Sequence, residues 1–536
     1  MFQLHPIKLE PAESNICRAL LSFCDSYNKD KSGSQQLELR ITGGWVRDKL
    51  LGKQSHDLDI AINHLSGEEF ASRLLEYLAT ENPQMKAQSV HTIKKNPDKS
   101  KHLETCTTKL FGLDIDFVNL RSEKYTADSR VPVIECGTAE EDALRRDATL
   151  NALFYNLNQD KIEDFTGKGL DDLRNGILRT PLAPYQTFLD DPLRVLRLIR
   201  FSSTFDFQIE SNTIEAMTTD EIKQALIHKI SRERVGVELD KILMGNNPIY
   251  GLRLISHVGL TNSIFNVGTL ENTINEINQP AHLDAVKQRS ALIDGQISAM
   301  STSFKVFTTL IDKNYQSLQK VLTSVLLDKH LQKLFYLSTV LLPYENAVLR
   351  ANPKRAAESA VPELILKEGL RLGKHDFEPV STIVKEHKLA TTAFQAFFDS
   401  HTIKRSELGT ILAKYKAYSS LSVLVYAFAE LLRNPEFKTP VLIEPHPQVP
   451  GLSEQLLSHS HDTLSKYENL MRHIENESLW DVHNVKPLVD GKTLSKELNK
   501  KPGPWMGEVT NKILVWQLDH PQGTKEECIE FIKSQI

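Results

Sequence analysis

Two aspartates one residue apart follow a glycine pair in the stretch ITGGWVRDKLLGKQSHDLDIAI, residues 41–62. In a strand, Asp57 and Asp59 share one face and lie roughly 6–7 Å apart. Two carboxylates placed in this way repel each other when both are charged, and a divalent cation removes that repulsion. Mg²⁺ is the natural ion, because it takes few carboxylates and completes its shell with water and phosphate oxygens. Taken alone, the pair is also explained by an exposed acidic strand face.

The glycine pair joins an alternating apolar segment, residues 37–42, to a short helical segment. Glycines at a strand-to-helix turn let backbone N–H groups approach a ligand closely, and the start of a helix favours phosphate. An ordinary turn explains Gly43 and Gly44 when they are considered alone. Together with Asp57 and Asp59, they predict a phosphate-binding turn that faces a metal site.

The elements that must position these residues change in character near residue 182. Before it, the periodicity predicts a helix over 12–29 and strands at several places, namely 37–42, 57–62, 107–110 and 113–119. After it, the pattern is helical and is broken by Pro and Gly. We therefore predict an α+β head with a small mixed sheet, followed by an all-α neck, body and tail. The four ranges are 1–182, 183–245, 246–432 and 433–536.

The composition of the 536-residue chain is ordinary for a globular protein of several domains, with 40% apolar and 25% charged residues. A formal net charge of −5 neither indicates nor excludes a nucleic-acid partner. The five cysteines lack zinc-finger spacing, which favours a reducing compartment. Apolar runs are too short to span a bilayer, and the N-terminus lacks signal-peptide and transit-peptide patterns. We expect a cytosolic monomer with no membrane partner.

Two further segments carry polar side chains at regular spacing. GLDIDFVNLR (112–121) is a second acidic strand, and Asp116 on it is a candidate third metal ligand. An acidic strand edge explains it equally well. EEDALRRDATLNALFYN (140–156) has helical apolar spacing, which places Asp147 and Asn151 on one face. Taken alone, that segment is best explained as a salt-bridged helix surface.

LDDPLRVLRLIRF (189–201) predicts a helix with a basic side. Pro192 fits the first helical position, and Asp191 then fits the N-cap. Three arginines recur every three residues on one side of this helix: Arg194, Arg197 and Arg200. The residues alone leave a capped basic helix and a binding helix equally open.

The motif GGWVRD…DLD resembles the signature of the polymerase-β-type nucleotidyltransferase superfamily. The helical C-terminal portion is similar to the bacterial and eukaryotic class of CCA-adding enzymes, the tRNA nucleotidyltransferases, and most similar to their fungal members. The resemblance covers most of the chain. It implies addition of C, C and A to the 3′ end of tRNA from CTP and ATP, without a nucleic-acid template. It also implies in-line transfer with two Mg²⁺ ions and release of pyrophosphate.

The resemblance further implies roles for particular residues of this chain. Catalysis and metal binding fall to aspartates on two neighbouring strands: Asp57, Asp59 and the candidate Asp116. The triphosphate is held by the glycine turn and by arginines: Gly43, Gly44, Arg47 and Arg145. RRDATLN resembles the ribose-recognition motif and contributes three side chains: Arg146, Asp147 and Asn151. A bracing role in the neck, without catalysis, falls to Glu233, Arg234 and Glu238.

Base selection is assigned by resemblance to Asp191 and Arg194. An Asp accepts from the amino group of C or A, and an Arg donates to acceptors on the same base edge. U and G present the opposite pattern, so one pair of side chains can reject both. Asp190 stands where many relatives have Glu, which leaves its role open. An Asp191 used as an N-cap would be less available to a base.

Three other segments resemble parts of the family. DFTGKGLDDL (164–173) is similar to the element that couples head to neck. A lysine-containing segment, 91–105, lies where the family has a loop that moves when specificity changes from C to A, although a solvated loop also explains it. Lysines around PGPW in 490–509 resemble the tail that grips tRNA, and they suit contact with an RNA backbone.

Two alternatives remain open from the sequence. A related polymerase could add a different tail, such as poly(A) only, but it would lack a base-selecting pair suited to both C and A. A non-enzymatic tRNA-binding protein could use the same scaffold, and the intact Asp57 and Asp59 argue against that. Fungal relatives can serve the nucleus and mitochondria from one gene, so these locations stay open beside the cytosol.

Overall fold

The computed structural model describes residues 1–55, 57–81, 91–93, 105–126, 129–438, 442–448 and 451–535. The four lysines of the segment 91–105 lie outside the described residues. The chain forms two compact units, Met1–Glu238 and Leu239–Ile536. Within the described part of the chain, no helix combines the length and apolar character needed to cross a bilayer.

Among the described residues, most strands lie in the first unit, and one short hairpin lies in the second. They are β1 (Leu39–Thr42), β2 (Leu58–Ile62), β3 (His91–Ile93), β4 (Thr105–Leu110), β5 (Leu113–Asn119), β6 (Arg121–Thr126), β7 (Ser129–Cys136), β8 (Phe154–Asn156), β9 (Lys161–Glu163), β10 (Ile177–Leu178), β11 (Gln208–Ile209), β12 (Val348–Arg350) and β13 (Glu358–Ala360).

The helices of the first part of the chain connect or follow these strands. They are α1 (Pro11–Asn28), α2 (Gly44–Leu50), α3 (Gly67–Glu81), α4 (Ala139–Leu144), α5 (Gly169–Asn175), α6 (Pro184–Asp190), α7 (Leu193–Phe205), α8 (Ser211–Met217), α9 (Asp220–Lys229) and α10 (Arg232–Leu243).

The remaining helices make up most of the second unit. They are α11 (Pro248–His257), α12 (Thr261–Ile264), α13 (Glu271–Ile277), α14 (Pro280–Asn314), α15 (Gln316–Leu327), α16 (Lys329–Leu341), α17 (Val361–Leu364), α18 (Lys374–Ser400), α19 (Arg405–Lys414), α20 (Ser419–Leu432), α21 (Glu454–Asn476), α22 (Gly491–Glu497), α23 (Trp505–Asp519) and α24 (Lys525–Ser534). The prediction of an α+β head followed by a helical remainder is confirmed, although that remainder is mostly and not all helical, because its described residues include strand β11 and the antiparallel hairpin β12–β13.

The main sheet has seven strands in the order β3-β4-β5-β2-β1-β8-β9. β2 and β5 are parallel, and β1 pairs antiparallel with β2 and β8. The parallel register sets Asp59 opposite Asp116, and β1 sets Thr42 opposite Asp59. Since β5 lies between β4 and β2, Asp116 is on an inner strand and not at the sheet edge.

Aromatic packing covers the sheet face that lies opposite these carboxylates. The ring of Phe70 on α3 lies 4.9 Å from that of Phe117 on β5 and 5.3 Å from that of Phe23 on α1. Phe117 pairs with Ile60, and both point away from the face of Asp59 because side chains alternate along a strand. Because this packing buries the apolar face of the sheet, the carboxylates lie on the opposite face, which can form the site.

The prediction of one continuous helix over 140–156 is wrong. α4 ends at Leu144, a single 3₁₀ turn covers Thr149–Asn151, and the segment finishes as β8. Ala148 is extended, with φ −144° and ψ 144°. The strand forms because Tyr155 pairs with Ile41 in the middle of the main sheet. Helical spacing of buried apolar residues does not report such a distant partner.

Candidate active site

The two aspartates of the opening motif lie on one face of β2. Asp57, Asp59 and Ala61 all line a cavity of about 590 Å³ in the first unit, whereas Leu58 and Ile60 are buried on the other face. The sheet pleat therefore places both carboxylates where the sequence predicts them. Asp57 immediately precedes the strand and is exposed, and Asp59 is partly buried.

Burial and the neighbouring carboxylates raise the pKa of Asp59. Burial raises the pKa of Asp59 from 3.8 to about 6, with further contributions from the charges of Asp116 and Asp57 and opposition from Arg146. Asp116 does not line the cavity, and its Oδ1 accepts a hydrogen bond of 2.6 Å from Thr107 Oγ1. A carboxylate destabilised in its charged form is a suitable donor for a divalent cation, which removes the repulsion.

The glycine turn packs directly against this carboxylate. Gly43 has a φ of +75°, and a Cβ there would lie 3.3 Å from Asp59 Oδ2. At Gly44, a Cβ would lie 2.8 Å from Arg47 Nη2. α2 begins at Gly44, and the positive φ of Gly43 with its close approach to Asp59 favours glycine at position 43, whereas the Arg47 side chain next to Gly44 can move.

A buried carboxylate holds the two arginines of the RRD motif. Asp142 Oδ1 accepts from Arg145 Nη2 at 2.6 Å, and Asp142 Oδ2 accepts from Arg146 Nη2 at 2.7 Å. Arg146 Nη2 also donates to Thr42 Oγ1 at 2.6 Å. Asp142 lies three and four residues before the arginines, a spacing that could have indicated it in the sequence.

A chain of polar contacts crosses the cavity from α2 to α7. Arg47 donates to Asn151 Oδ1, Asn151 Nδ2 donates to Asp147 Oδ1 at 3.0 Å, and Arg197 Nε donates to Asp147 Oδ2 at 2.6 Å. Burial alone would raise the pKa of Asp147. The charge of Arg197 and the hydrogen bonds from Asn151 and Arg197 outweigh it, and they hold that pKa well below its ordinary value.

The candidate base-selecting residues lie at the start of α7. Asp191 Oδ1 accepts from the backbone N–H of Leu193 at 3.2 Å, so its carboxylate has a capping contact although the helix begins one residue later than predicted. Arg194 Nη2 donates to the backbone oxygen of Arg145 at 2.8 Å. Asp190 does not line the cavity, and its Oδ1 accepts from Gln186 at 2.7 Å.

Glu233, Arg234 and Glu238, to which the resemblance gives a bracing role in the neck, lie on α10. Arg234 Nη2 lies 3.8 Å from Asp191 Oδ2, and Glu238 Oε2 lies 2.8 Å from Arg200 Nε. Asp191 and Arg200 both line the cavity. These contacts are consistent with a bracing role next to α7, which stays a prediction.

Most of the predicted site residues converge on the one cavity. Those that line it are Gly43, Gly44, Arg47, Asp57, Asp59, Arg145, Arg146, Asp147, Asn151, Asp191 and Arg194. Those that do not are Asp116, Asp190, Glu233, Arg234 and Glu238. Several other residues line the cavity although the sequence does not predict a role for them, among them Thr42, Arg121, Glu123, Asp142 and Phe201.

Comparison with known proteins decides the family. The chain is 43% identical over 532 residues to "CCA tRNA nucleotidyltransferase, mitochondrial" of Candida glabrata, with 98% of this chain and 96% of the relative covered. The chain belongs to the CCA tRNA nucleotidyltransferases. The protein of Saccharomyces cerevisiae with the same description is 42% identical, with 98% and 94% covered. The predicted resemblance to this family is thereby confirmed.

Two family profiles match parts of this CCA tRNA nucleotidyltransferase. One, described as "Poly A polymerase head domain", matches residues 39–179, and the other, "Probable RNA and SrmB- binding site of polymerase A", matches 206–268. Nucleotidyltransferase heads of this type generally use divalent metal ions. The first match contains the glycine turn, the aspartates and the RRD motif.

Solved CCA-adding enzymes share the fold of this CCA tRNA nucleotidyltransferase. The Thermotoga maritima enzyme complexed with tRNA gives a TM-score of 0.55 at 20% identity, with 100% of both chains covered. The Bacillus stearothermophilus enzyme in complex with CTP gives 0.55 at 16% identity, with 98% of both chains covered. At these identities the likeness concerns the fold.

Proposed function

We propose that the cavity of the first unit is where this enzyme adds C, C and A to the 3′ end of tRNA, with CTP and ATP as donors and pyrophosphate as product. One observation carries this assignment: Asp57, Asp59 and Gly43 line the same cavity as Asp191 and Arg194. A single cavity thus offers carboxylates for metal ions, arginines for phosphates and an acidic–basic pair for a base edge.

The charges of the cavity support a role for two Mg²⁺ ions. Among the described residues, its lining comprises seven arginines and six carboxylates, namely Arg47, Arg121, Arg145, Arg146, Arg194, Arg197 and Arg200 with Asp57, Asp59, Glu123, Asp142, Asp147 and Asp191. Because these charges nearly balance, the arginines alone do not neutralise a nucleoside triphosphate. Asp57 and Asp59 would hold the ions, with Asp116 as a third ligand, since carboxylate oxygens suit Mg²⁺.

The residues of the chain position the reactants. When bound, the two Mg²⁺ ions would lower the pKa of the tRNA 3′-hydroxyl and stabilise charge on the departing pyrophosphate. Backbone N–H groups of the glycine turn, with Arg47 and Arg145, hold the triphosphate. Most of the rate enhancement then comes from alignment and electrostatic stabilisation.

The nucleoside is bound by the other side of the cavity. Arg146, Asp147 and Asn151 hold the ribose. The carboxylate of Asp191 accepts from the amino group of cytosine or adenine, and Arg194 donates to the same edge. The carboxylate of Asp191 has acceptor capacity beyond the hydrogen bond of 3.2 Å from the backbone N–H of Leu193, so it can also accept from a base amino group.

Nucleotide addition to a tRNA transcript that lacks its CCA end tests the proposal. We expect two C residues with CTP alone, the full CCA with CTP and ATP, and no addition with ATP alone. Addition of A alone to any RNA would instead indicate a poly(A)-type polymerase. Asp59→Ala should abolish addition and leave tRNA affinity nearly unchanged. Activity that survives this substitution would contradict the metal site.

The finer organisation of the chain is also part of the proposal. We assign nucleotide selection to 183–245 and tRNA binding to the tail, 433–536, in which Lys492, Lys496, Lys500 and Lys501 are exposed. We expect a monomer in the cytosol, with pools in the nucleus and mitochondria. The names of the Candida glabrata and Saccharomyces cerevisiae relatives support the mitochondrial pool. Cell fractionation with a tagged full-length chain tests the location.

A further inference from the structure

Glu123 on β6 is a buried carboxylate that lies among three arginines of the cavity. Its side chain is 6% exposed. Oε1 lies 3.1 Å from Arg145 Nη1 and 3.2 Å from Arg121 Nε, and Oε2 lies 3.7 Å from Arg194 Nη2. One carboxylate thus contacts the proposed triphosphate arginine with one oxygen and faces the proposed base-selecting arginine with the other.

The guanidinium of Arg194 is held from two directions. Its Nη2 donates to the backbone oxygen of Arg145 at 2.8 Å and faces Glu123 Oε2. Asp142 in turn holds the side chain of Arg145 through Nε at 2.9 Å and Nη2 at 2.6 Å. A carboxylate at this distance attracts the guanidinium electrostatically, and in a largely buried site that attraction favours the orientation in which Arg194 faces Glu123.

We propose that Glu123 is a positioning residue for base selection, because its carboxylate orients the guanidinium of Arg194 relative to Arg145. This inference rests on the proposed function of Arg194. Discrimination between bases depends on the direction of donors, since C and U differ on this edge by the exchange of a donor and an acceptor. Loss of the negative charge at Glu123 should therefore weaken selection more than it weakens turnover.

The test compares Glu123→Gln with the wild type, using tRNA that lacks its CCA end. The ratio of kcat/KM for CTP to that for UTP should fall roughly tenfold in the Gln variant, as expected when the carboxylate that attracts Arg194 loses its charge. Glu123→Asp should show an intermediate ratio, because it keeps the charge on a shorter side chain. Glu140→Gln is the matched control, because Glu140 is exposed on α4. The CTP-to-UTP ratio of this variant should equal that of the wild type.

The outcomes separate this inference from the proposed function. A wild type that adds no C to the tRNA refutes the proposed function itself. A wild type that adds C, with an unchanged CTP-to-UTP ratio in Glu123→Gln, refutes only the role of Glu123. An equal loss for both nucleotides indicates a merely structural role and also overturns it. If thermal unfolding shows that Glu123→Gln does not fold, an unchanged CTP-to-UTP ratio in Glu123→Asp refutes the role of Glu123 instead.

Discussion

Replacing Asp59 by Asn should stabilise the metal-free protein at neutral pH and abolish nucleotide addition. The cause lies in the cavity, where burial and the charges of Asp116 and Asp57 raise the pKa of Asp59 from 3.8 to about 6. Ionisation of this carboxylate in the fold is therefore unfavourable when no cation is bound. An amide of the same shape removes the charge, and it also removes the proposed metal ligand.

The size of the effect follows from proton linkage. A carboxyl group whose pKa is higher in the folded than in the unfolded state reduces stability as the pH rises through the interval between the two values. With 3.8 for the unfolded state and about 6 for the fold, the loss is about 0.5 kcal/mol at about pH 4, about 1.5 at about pH 5 and about 3 at about pH 7.5. The Asn variant should recover these amounts.

Urea unfolding of both proteins in EDTA, at the same three pH values, measures the difference. Titrating groups that do not interact with Asp59 are common to both proteins and cancel. Asp25→Asn is the matched control, because Asp25 is exposed on α1 and should change stability by less than about 0.5 kcal/mol at each pH. A variant that is no more stable at about pH 7.5, or equally stabilised at about pH 4, would refute the repulsion argument. Added Mg²⁺ should stabilise the wild type and not the variant.

Three other variants, two with a single substitution and one with four, test separate parts of the protein. Gly43→Ala should lower kcat at least about tenfold, because the backbone there has φ +75° and the new methyl group would lie 3.3 Å from Asp59. Gly33→Ala is the control, since Gly33 has φ +57° and a Cβ there would have no atom within 4 Å. An equal loss of kcat in both variants would contradict the close-approach argument. Asp142→Asn should raise KM for CTP roughly tenfold by releasing two arginines, and an unchanged KM would contradict this. Alanine at the four tail lysines should reduce the slope of log tRNA affinity against log salt by about three, measured by filter binding; an unchanged slope would exclude them from the interface.

The sequence predicts the local part of the site well. β1, the glycine turn, α2 and β2 follow one another within 24 residues, Leu39–Ile62, and alternation alone places Asp57 and Asp59 on one face. Such features depend on neighbours in the chain, which a single sequence contains. The same reasoning is wrong for 140–156, because β8 depends on pairing with β1, more than a hundred residues earlier.

The contacts of Arg194, the proposed base-selecting arginine, could not be predicted from the sequence for the same reason. Glu123 and Arg194 are 71 positions apart, and no periodicity connects a residue of β6 with one of α7. The arginines of α7 themselves were predictable, since their three-residue spacing puts them on one side of a helix. What the spacing could not indicate is which carboxylates face them: Asp147 for Arg197 and Glu238 for Arg200.

The parallel pairing of β2 and β5 has a consequence for how this site can change in evolution. Asp59 and Asp116 are aligned by the backbone ladder between β2 and β5, and the segments of the connection that lie outside paired strands take no part in that ladder. Insertions or deletions in those segments can therefore accumulate without altering the distance between the two carboxylates. A slip of one residue in the ladder would disrupt the site, because it turns Asp116 to the apolar face of the sheet. Relatives should thus tolerate length variation between these strands and show none within them.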